Sequence, residues 1–430
     1  MLLYFKVKNY RSFRDEQALD MEAAGIKGSM DNLLDFNRER YLPAVAVYGK
    51  NGGGKSNLIR AMWLAVQFIC NAQKTQTEGA PVPVRPFMLN DYSSREPTAF
   101  EFGYVQNGIK YVYGFSATRD HIETEYLKTW QNGREKSIFS RKGQEFLFPK
   151  NSEKKKKELI SEAVGQNQLF FAVSSTMNYA PCIEAMKWFR EQILFSRDFT
   201  DFNRNLIDYW EDERMLQAIV KAAKAADVGI QDISFEIDQQ VLDLQKVSQQ
   251  DQDLFEALRS FHDALQRGGS DAEICLSMEK LKGTTYHNGI NEAGEREQYE
   301  LTLSDESDGT RHLLALAPLI ERTLSNGGVL IVDGLERDLH PMLVEYLVNR
   351  YQQKKNNPKQ AQIIFTTHEA SLLDLEVLRR DQIYFVNRTP DDGASELYSL
   401  SDFNVRNGMN IEKAYLLGKF GAVPSLEGEL

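Results

Sequence analysis

The stretch that decides the fold is Gly49-Lys50-Asn51-Gly52-Gly53-Gly54-Lys55-Ser56. It fits the pattern GxxxxGK[ST], a loop whose backbone N–H groups surround phosphate oxygens at the start of a helix, where larger side chains would block their approach. The pattern has this meaning only between a strand and a helix. The apolar run 44–48 predicts the strand, and the helical spacing of apolar residues predicts a helix over 57–72. The sequence therefore predicts a triphosphate-binding loop.

The predicted ligand of this loop is ATP with Mg²⁺. Lys55 is expected to reach the β- and γ-phosphates, and Ser56 to bind the metal. A second metal ligand is predicted at Asp333, which follows the apolar run 329–332 at the carboxyl end of a buried parallel strand. Without the loop, this run would read equally well as a core strand that ends in a surface carboxylate. The residues expected to contact the nucleotide are Gly49, Lys50, Asn51, Gly52, Gly53, Gly54, Lys55, Ser56 and Asn57.

The two predicted metal ligands are separated by most of the chain, which predicts an α/β fold with a large insertion. Residues 1–150 hold the phosphate loop and two hairpins, centred on Asn107-Gly108 and Asn132-Gly133. Helical patterns prevail over 151–295, interrupted by one alternating strand, and strands and helices return over 296–430. The predicted architecture is an N-terminal lobe, a mainly helical insertion and a C-terminal lobe.

The composition excludes several classes of function. The 51 Lys and Arg residues against 62 Asp and Glu residues give a net charge of −11, so any contact with DNA must be confined to one region. The run Lys154–Lys157 is basic, but such a run is typical of a solvated loop. The 3 cysteines form no CxxC pair and the 6 histidines show no HxH or HxxxH spacing, which argues against any metal other than Mg²⁺.

The start of the chain and its apolar runs predict the location of the protein. Lys6 follows closely on the first residue, no small-residue cleavage site is present, and the longest apolar stretch, over 63–70, is far shorter than a membrane span. We therefore expect a cytoplasmic protein that does not contact a membrane.

Three further segments follow the phosphate loop in a recognisable order. Ser304–Arg311 precedes the apolar strand, Asp338–Pro341 follows it, and Thr366-Thr367-His368 ends the next strand. This order of phosphate loop, insertion, signature, Walker B strand, D-loop and switch histidine resembles the ABC-type ATPase heads of SMC, RecF and OLD proteins. More closely, the chain resembles the AAA15/AAA21 ATPases of the RloA or AbiLi antiphage type. The phrases that carry the resemblance are Val7–Phe13, Glu306–Arg311, Leu339–Pro341, Arg380–Ile383 and Leu416–Ala422.

The resemblance implies an ABC-type P-loop ATPase head in which ATP joins two subunits. Ser307 and Gly309 would act as the signature that covers the γ-phosphate held by another subunit, and His368 would sense that phosphate. The physical reason is that a γ-phosphate left exposed at one half-site is neutralised by a hydroxyl and by backbone N–H groups at a helix start. Without the resemblance, Ser307 would be a helix N-cap in a polar loop and His368 a core or surface histidine. A homodimer or a higher even oligomer is therefore expected.

One position departs from the family pattern. ABC-type heads carry a glutamate directly after the Walker B aspartate, where it orients or deprotonates the attacking water. This chain has Gly334 there, which cannot do so, and Glu336 is the candidate substitute even though the chain is expected to turn toward the D-loop at that point. We therefore expect ATP binding without rapid hydrolysis, and we expect Gly334→Glu to raise the ATPase rate.

The expected function is that of a Mg²⁺-ATP-binding ATPase that assembles through its nucleotide faces and controls a partner. The resemblance implies antiphage defence, with a separate Toprim-type nuclease, similar to RloB, as the effector. Two alternatives stay open. One is a DNA-repair ATPase of the RecF or SMC kind that clamps nucleic acid, and the other is a scaffold or sensor that binds ATP without hydrolysing it. ATP turnover and assembly size, measured with and without nucleotide, distinguish these functions.

Overall fold

The computed structural model describes residues 1–26, 32–77, 79–131, 133–149, 154–196, 212–225, 229–241, 277–406 and 408–424. The chain divides into two compact units. The larger unit consists of residues 1–197 and 319–430, and the smaller of residues 198–318.

Strands and helices alternate along the chain, as the α/β prediction requires. The strands are β1 (Leu2–Lys8), β2 (Gln17–Asp20), β3 (Leu34–Phe36), β4 (Glu39–Tyr41), β5 (Ala44–Tyr48), β6 (Thr98–Gln106), β7 (Ile109–Ala117), β8 (Ile122–Gln131), β9 (Arg134–Lys142), β10 (Glu145–Leu147), β11 (Ile193–Ser196), β12 (Ile230–Val241), β13 (Ser277–Ile290), β14 (Arg296–Thr302), β15 (Val329–Val332), β16 (Gln362–Thr366), β17 (Ile383–Arg388) and β18 (Ser395–Ser399). The α-helices are α1 (Lys55–Thr75), α2 (Lys154–Ala163), α3 (Phe170–Thr176), α4 (Ala180–Lys187), α5 (Glu213–Ala225), α6 (Asp308–Asn326), α7 (Pro341–Gln352) and α8 (Ile411–Leu416). Among the residues described, no helix is both long and apolar enough to cross a lipid bilayer.

The larger unit contains an antiparallel sheet in the order β10-β9-β8-β7-β6-β1-β2. The β6–β7 and β8–β9 hairpins confirm the two predicted turns. Inward-facing residues such as Phe5 and Phe102 are buried, whereas Lys6 and Lys8 on the other face of β1 are not. This alternation is typical of a sheet with one face in the core and one in water.

The second sheet of this unit has the order β11-β15-β16-β5-β17-β18 and is parallel except for β18. Every residue of β5, β15 and β16 is buried, as in parallel strands whose two faces are both covered. Because these three strands run in the same direction, their carboxyl ends meet at one edge. The phosphate loop, Asp333 and His368 follow those ends, so the topology brings them together.

Helix α1 carries the phosphate loop into the core of the larger unit. Its apolar face, including Leu58, Met62 and Ile69, is buried in one cluster that also includes residues from both sheets. The Phe68 ring contacts Phe115 of the antiparallel sheet, with ring centroids 5.7 Å apart. The helix is therefore held by packing on both sheets, and the α/β fold predicted for the head is confirmed.

The predicted insertion at 151–295 is placed differently by the structure. Its first part, with α2, α3, α4 and β11, belongs to the larger unit. The reason is a shared core: Phe170 and Phe171 are 0% exposed, and their backbone N–H groups each donate to the Glu125 carboxylate of β8 at 2.8 Å. The two compact units therefore divide at 198 and 318, whereas the sequence predicted the lobe boundaries at 150 and 296.

The smaller unit is not mainly helical in the residues that the structure describes. Strands β12, β13 and β14 form an antiparallel sheet, and β12 confirms the alternating strand expected within the insertion. Helix α5 packs on this sheet through Ile219 and Ala223, which share an apolar cluster with Ile233, Leu303 and Leu314. The helical patterns correctly indicated α5. They did not show that β12 and β13, which lie on either side of the polar segment, would pair with each other.

Candidate nucleotide-binding site

A cleft of about 610 Å³ opens at the carboxyl edge of the parallel sheet. All of its lining residues belong to the larger unit. They are Lys50, Asn51, Gly52, Gly53, Gly54, Lys55, Ser56, Asn57, Arg60, Asp333, Gly334, Glu336, Arg337, Thr366, His368 and Arg388. The sequence predicted eleven of these sixteen, and Gly49 lies just behind the lining, so residues from distant parts of the chain converge as expected.

Glycines shape the phosphate loop because the backbone passes close to its neighbours. A Cβ on Gly49 would lie 2.3 Å from the Val386 carbonyl oxygen, and a Cβ on Gly54 would lie 2.6 Å from Ser395 Oγ. Gly54 also has a φ of +121°, which L-residues rarely adopt. The Ser395 hydroxyl donates to the Gly53 carbonyl oxygen at 2.7 Å. The β17–β18 hairpin thus supports the loop from behind and leaves its backbone free to enclose phosphate.

Asn57 supports the loop from its other end. Its side-chain amide donates to Ser12 Oγ at 2.9 Å, in the segment that follows β1. The Ser395 N–H donates to the carbonyl oxygen of the same Ser12 at 2.7 Å. Ser12 therefore joins the start of α1 to the β17–β18 hairpin, which explains why Asn57 lines the cleft without being part of the phosphate-loop pattern.

Lys55 is 8% exposed and points along the floor of the cleft. Its Nζ donates to the Gly49 carbonyl oxygen at 2.6 Å and lies 2.9 Å from His368 Nε2. Burial lowers the pKa of Lys55 to about 8, opposed by the nearby carboxylates of Glu336 and Asp333. The ammonium is thus stabilised by two neutral acceptors and is not neutralised by a contacting carboxylate.

His368 ends the segment after β16 and faces Lys55. Burial lowers its pKa, the positive charge of Lys55 lowers it further, and Glu336 opposes both. Because the ammonium has no lone pair, a charged Lys55 requires that Nε2 accept and that the imidazole proton sit on Nδ1. His368 is therefore a neutral acceptor at the place where the γ-phosphate of a bound ATP is expected.

Ser56 and Asp333, the two predicted Mg²⁺ ligands, lie in contact in this cleft. Ser56 Oγ lies 3.1 Å from Asp333 Oδ1, which also accepts from Thr366 Oγ1 at 2.7 Å. These residues fit Mg²⁺, because the ion prefers oxygen ligands and takes one or two from the protein, leaving the others to phosphate and water. Thr366 fixes the carboxylate in this orientation. It was not predicted from the sequence, where a threonine at a strand end carries no signal of its own.

Gly334 and Glu336 follow Asp333 in a tight turn. Gly334 has a φ of +79°, its N–H donates to Thr366 Oγ1 at 2.7 Å, and an added Cβ would meet no atom within 4 Å. Glu336 lines the cleft, although the chain turns at this position as expected. Its Oε1 accepts from the His368 N–H at 2.8 Å, whereas its buried Oε2 has no hydrogen-bond partner among the described residues.

Three arginines that sequence reasoning missed also line the cleft. They are Arg60, Arg337 and Arg388. Arg60 stands one helical turn after Ser56 on α1, a spacing that could have revealed it. Arg388 ends β17 and donates from Nε to the Gly393 carbonyl oxygen at 2.8 Å. Guanidinium groups bind phosphate oxygens well, so the cleft has more positive charge to offer a triphosphate than its loop alone supplies.

The predicted signature residues lie in the smaller unit and do not line this cleft. Ser307 is exposed and precedes α6, and its Oγ accepts from the Thr310 N–H at 3.1 Å. Gly309 is the second residue of that helix. Ser307 is thus a helix N-cap within its own subunit, and both Ser307 and Asp308, the first residue of α6, are exposed.

The sequence of residues 44–374 matches one protein-family model, AAA_21, described as "AAA domain, putative AbiEii toxin, Type IV TA system". The matched range begins at β5 and extends beyond His368, so it includes every residue of the cleft except Arg388. The chain belongs to the AAA_21 family. Membership of this P-loop ATPase family implies that the AAA_21 chain binds ATP. No curated protein matches it significantly in sequence.

Several solved structures resemble this AAA_21 chain in fold. The head of an SMC protein bound to the C-winged helix domain of ScpA is 13% identical, with 93% of this chain and 97% of that chain covered and a TM-score of 0.40. The SMC head domain from Thermotoga maritima is 13% identical, with 94% and 99% covered and a TM-score of 0.38. The recombination mediator RecF of the RecFOR pathway is 14% identical, with 92% and 98% covered and a TM-score of 0.35. Family membership follows from the sequence match and not from these similarities.

Proposed function

We propose that the protein is a Mg²⁺-ATP-dependent assembly ATPase, in which ATP bound to one subunit is covered by the signature segment of another. The observation that carries the proposal is the convergence of Lys55, Ser56, Asp333 and His368 in one cleft, at 3.1 Å or less between partners. A loop for phosphates, a lysine within it and a pair of oxygens for a metal are parts that a nucleoside triphosphate site needs.

Binding of ATP changes the contacts of Lys55. Its ammonium leaves Nε2 of His368, 2.9 Å away, because phosphate oxygens are charged acceptors and an imidazole is not. His368 Nε2 then no longer accepts a hydrogen bond from Lys55 and is free to interact with the γ-phosphate. Ser56 and Asp333 would hold Mg²⁺, which supplies positive charge to the phosphate oxygens when bound. The exchange of partners at Lys55 thus links occupancy of the loop to the state of His368.

Assembly follows from the charge at the outer end of the nucleotide. The signature hydroxyl of Ser307 and the N–H groups that begin α6 lie on an exposed part of the smaller unit. A helix N-terminus and a hydroxyl together stabilise an anion such as the γ-phosphate. An ATP-bound subunit therefore attracts the signature segment of a second subunit, which makes a homodimer or a higher even oligomer the expected product.

Hydrolysis is expected to be slow. Gly334 leaves the usual place of the catalytic carboxylate empty, whereas the buried Oε2 of Glu336, which has no hydrogen-bond partner in the described part of the chain, belongs to the same cleft. A carboxylate oxygen without a donor is able to accept a proton from water. We assign the residual hydrolysis to Glu336, held by the N–H of His368, and we regard the ATP-bound assembly as the long-lived state.

We extend the proposal to defence against phage through a separate effector. The description of the AAA_21 family names the AbiEii toxin, and the sequence phrases resemble the RloA and AbiLi antiphage ATPases. The effector proposed on this resemblance is a Toprim-type, RloB-like nuclease. Its binding to the purified protein with and without Mg²⁺-ATP tests this extension, and equal binding under both conditions would show that the nucleotide does not control it.

The central experiment measures molecular mass by light scattering together with ATP turnover. We expect protomers without nucleotide, an even assembly with Mg²⁺-ATP, and turnover well below one per second. Lys55→Ala should abolish nucleotide binding and assembly, whereas Ser307→Ala should preserve binding and weaken assembly. Assembly with no turnover would favour a scaffold or sensor that only binds ATP. An unchanged mass under saturating Mg²⁺-ATP would overturn the proposal.

A further inference from the structure

Glu306, the residue before the signature serine, is tied to the middle of β13. Its side chain is 7% exposed, and its Oε1 accepts from Thr285 Oγ1 at 2.5 Å and from His287 Nε2 at 2.8 Å. Thr285 and His287 are two residues apart on the strand and therefore lie on the same face of the sheet. Two donors from one strand thus converge on one carboxylate oxygen.

This contact determines where the signature begins. Only a peptide bond separates Glu306 from Ser307, and Ser307 is fixed in turn to the first turn of α6 through Thr310. Thr285 is 0% exposed, so its hydroxyl meets the carboxylate out of water, where a hydrogen bond of this kind is strong. The backbone at 306–307 is therefore anchored to β13 from one side and to α6 from the other.

A simple structural need does not account for these contacts. Polar residues of a loop that only connects a strand to a helix can remain in water at no cost, whereas a buried carboxylate is costly unless donors are placed to meet it. The contacts fall on the residue next to the one hydroxyl proposed to reach a neighbour's nucleotide. Such an anchor fixes the position of that hydroxyl.

We propose that Thr285 and His287 are positioning residues for the signature: they hold Glu306 so that Ser307 is presented to the γ-phosphate of a neighbouring subunit. The inference rests on the proposed function, since it assigns a task to contacts that surround the proposed signature. It predicts that weakening these contacts lowers the affinity between ATP-bound subunits and leaves the affinity of one subunit for ATP unchanged.

The test compares Thr285→Val with Thr284→Val in the full-length protein. The first substitution removes the hydroxyl that donates to Glu306 and keeps the shape of the side chain, and the second makes the same change on the opposite face of β13. We expect Thr285→Val to raise the protomer concentration needed for half-maximal Mg²⁺-ATP-dependent assembly by about three- to tenfold. Thr284→Val should leave it unchanged, and binding of a fluorescent ATP analogue by single subunits should be equal in both.

Substitutions at His287 provide an independent test of the same role. His287→Phe loses the donor and should weaken assembly, whereas His287→Gln keeps an N–H donor and should restore much of it. Thermal unfolding of each variant shows whether the smaller unit remains folded. If both Thr285→Val and His287→Phe fold and assemble like the wild type, the positioning role is wrong.

A double variant separates this inference from the proposed function. In Ser307→Ala the signature hydroxyl is absent, so adding Thr285→Val should cause no further loss of assembly. If Thr285 has a purely structural effect, Thr285→Val should instead weaken assembly of the Ser307→Ala variant by as much as it weakens assembly of the wild type. If the wild type does not assemble with ATP, or if Ser307→Ala assembles normally, the proposed function itself is wrong. If Ser307→Ala is defective and the Thr285 effect is additive, only the positioning role fails.

Discussion

Lys55 Nζ and His368 Nε2 lie 2.9 Å apart, so the lysine that is expected to bind phosphate is already engaged by the histidine expected to sense it. The two residues come from opposite ends of the chain and meet because β5 and β16 are neighbours in the parallel sheet. In the absence of anions, the contact gives the buried ammonium a hydrogen-bond partner. While Lys55 and His368 contact each other, Lys55 does not bind phosphate and His368 does not sense it.

The lowered pKa of Lys55 predicts how ATP affinity depends on pH. With its pKa at about 8, the free protein loses the ammonium proton above that pH, whereas bound phosphate favours the charged form and raises the pKa. Affinity should therefore fall by about twofold between pH 7 and 8 and by up to about tenfold per pH unit well above pH 8. Titration of a fluorescent ATP analogue at fixed Mg²⁺ measures this. Lys55→Arg provides the control, because its guanidinium stays charged and its affinity should not change from pH 7 to 9.5. Constant wild-type affinity over the same range contradicts the prediction.

Gly334→Glu should raise the ATPase rate above that of the wild type. The position has room for a side chain, but its φ of +79° makes any L-residue cost about 1 kcal/mol of folding free energy. Gly334→Ala is the matched control, since it has the same strain and no carboxylate. Steady-state phosphate release and thermal unfolding of the three proteins separate the two effects. If the glutamate variant folds and is no faster than the alanine variant, the absence of this carboxylate is not what limits turnover.

Glu336→Gln tests the carboxylate that the cleft does contain. The amide can still accept from the His368 N–H at Oε1 but is too weak a base to take a proton from water. We expect the residual turnover to fall by about 10²- to 10³-fold with ATP binding preserved. Single-turnover measurements with excess enzyme isolate the chemical step. Unchanged single-turnover rates would assign the residual activity to another group.

Asp333→Asn should raise the Mg²⁺ concentration that nucleotide binding requires. The carboxylate is 3.1 Å from Ser56 Oγ and is oriented by Thr366, so its charge is directed at the predicted metal position. We expect the Mg²⁺ concentration for half-maximal ATP binding to rise by about tenfold or more. Asp338→Asn changes an exposed aspartate of the next turn that does not line the cleft, and it should behave as the wild type. Equal Mg²⁺ titrations for both variants would place the metal elsewhere.

Glu125 is predicted to matter for stability and not for nucleotide chemistry. It is 0% exposed, accepts from Tyr113 and two backbone N–H groups, and lies 3.5 Å from the buried guanidinium of Arg141. Glu125→Ala leaves that guanidinium without its carboxylate and should cost about 3–5 kcal/mol in the free energy of unfolding. Glu123 lies on the same strand as Glu125 and forms a half-exposed ion pair with His121. Glu123→Ala should therefore cost less than about 1 kcal/mol in the free energy of unfolding. Urea denaturation followed by circular dichroism compares the two.

Much of the site was predictable because its parts follow short rules. The phosphate loop carries its own pattern, and the apolar runs before Asp333 and His368 indicate buried parallel strands, whose carboxyl ends necessarily share an edge. The hairpin turns likewise follow from Asn-Gly pairs. Each of these rules describes a short segment of the sequence. The sheet topology then places these segments next to one another.

The contacts that the sequence did not predict depend on residues without a local signal. Lys157 belongs to a basic run expected to be solvated, yet it is 0% exposed, lies against the Phe148 ring and donates to the Pro149 carbonyl oxygen. Long lysine side chains can bury their methylene groups wherever an acceptor meets the ammonium, and no periodicity shows where that acceptor is. The insertion boundaries failed for a similar reason, because α3 is fixed by Glu125, a residue outside the predicted insertion.

The bond from Ser395 Oγ to the Gly53 carbonyl oxygen has a consequence for how the protein is made. During synthesis the phosphate loop leaves the ribosome before the hairpin that braces it, which lies 342 residues further along the chain. At about 5–20 residues per second, the interval is on the order of 20–70 s. A nascent chain therefore carries an unbraced loop throughout this interval, and we expect it to become competent for ATP only after the hairpin has emerged.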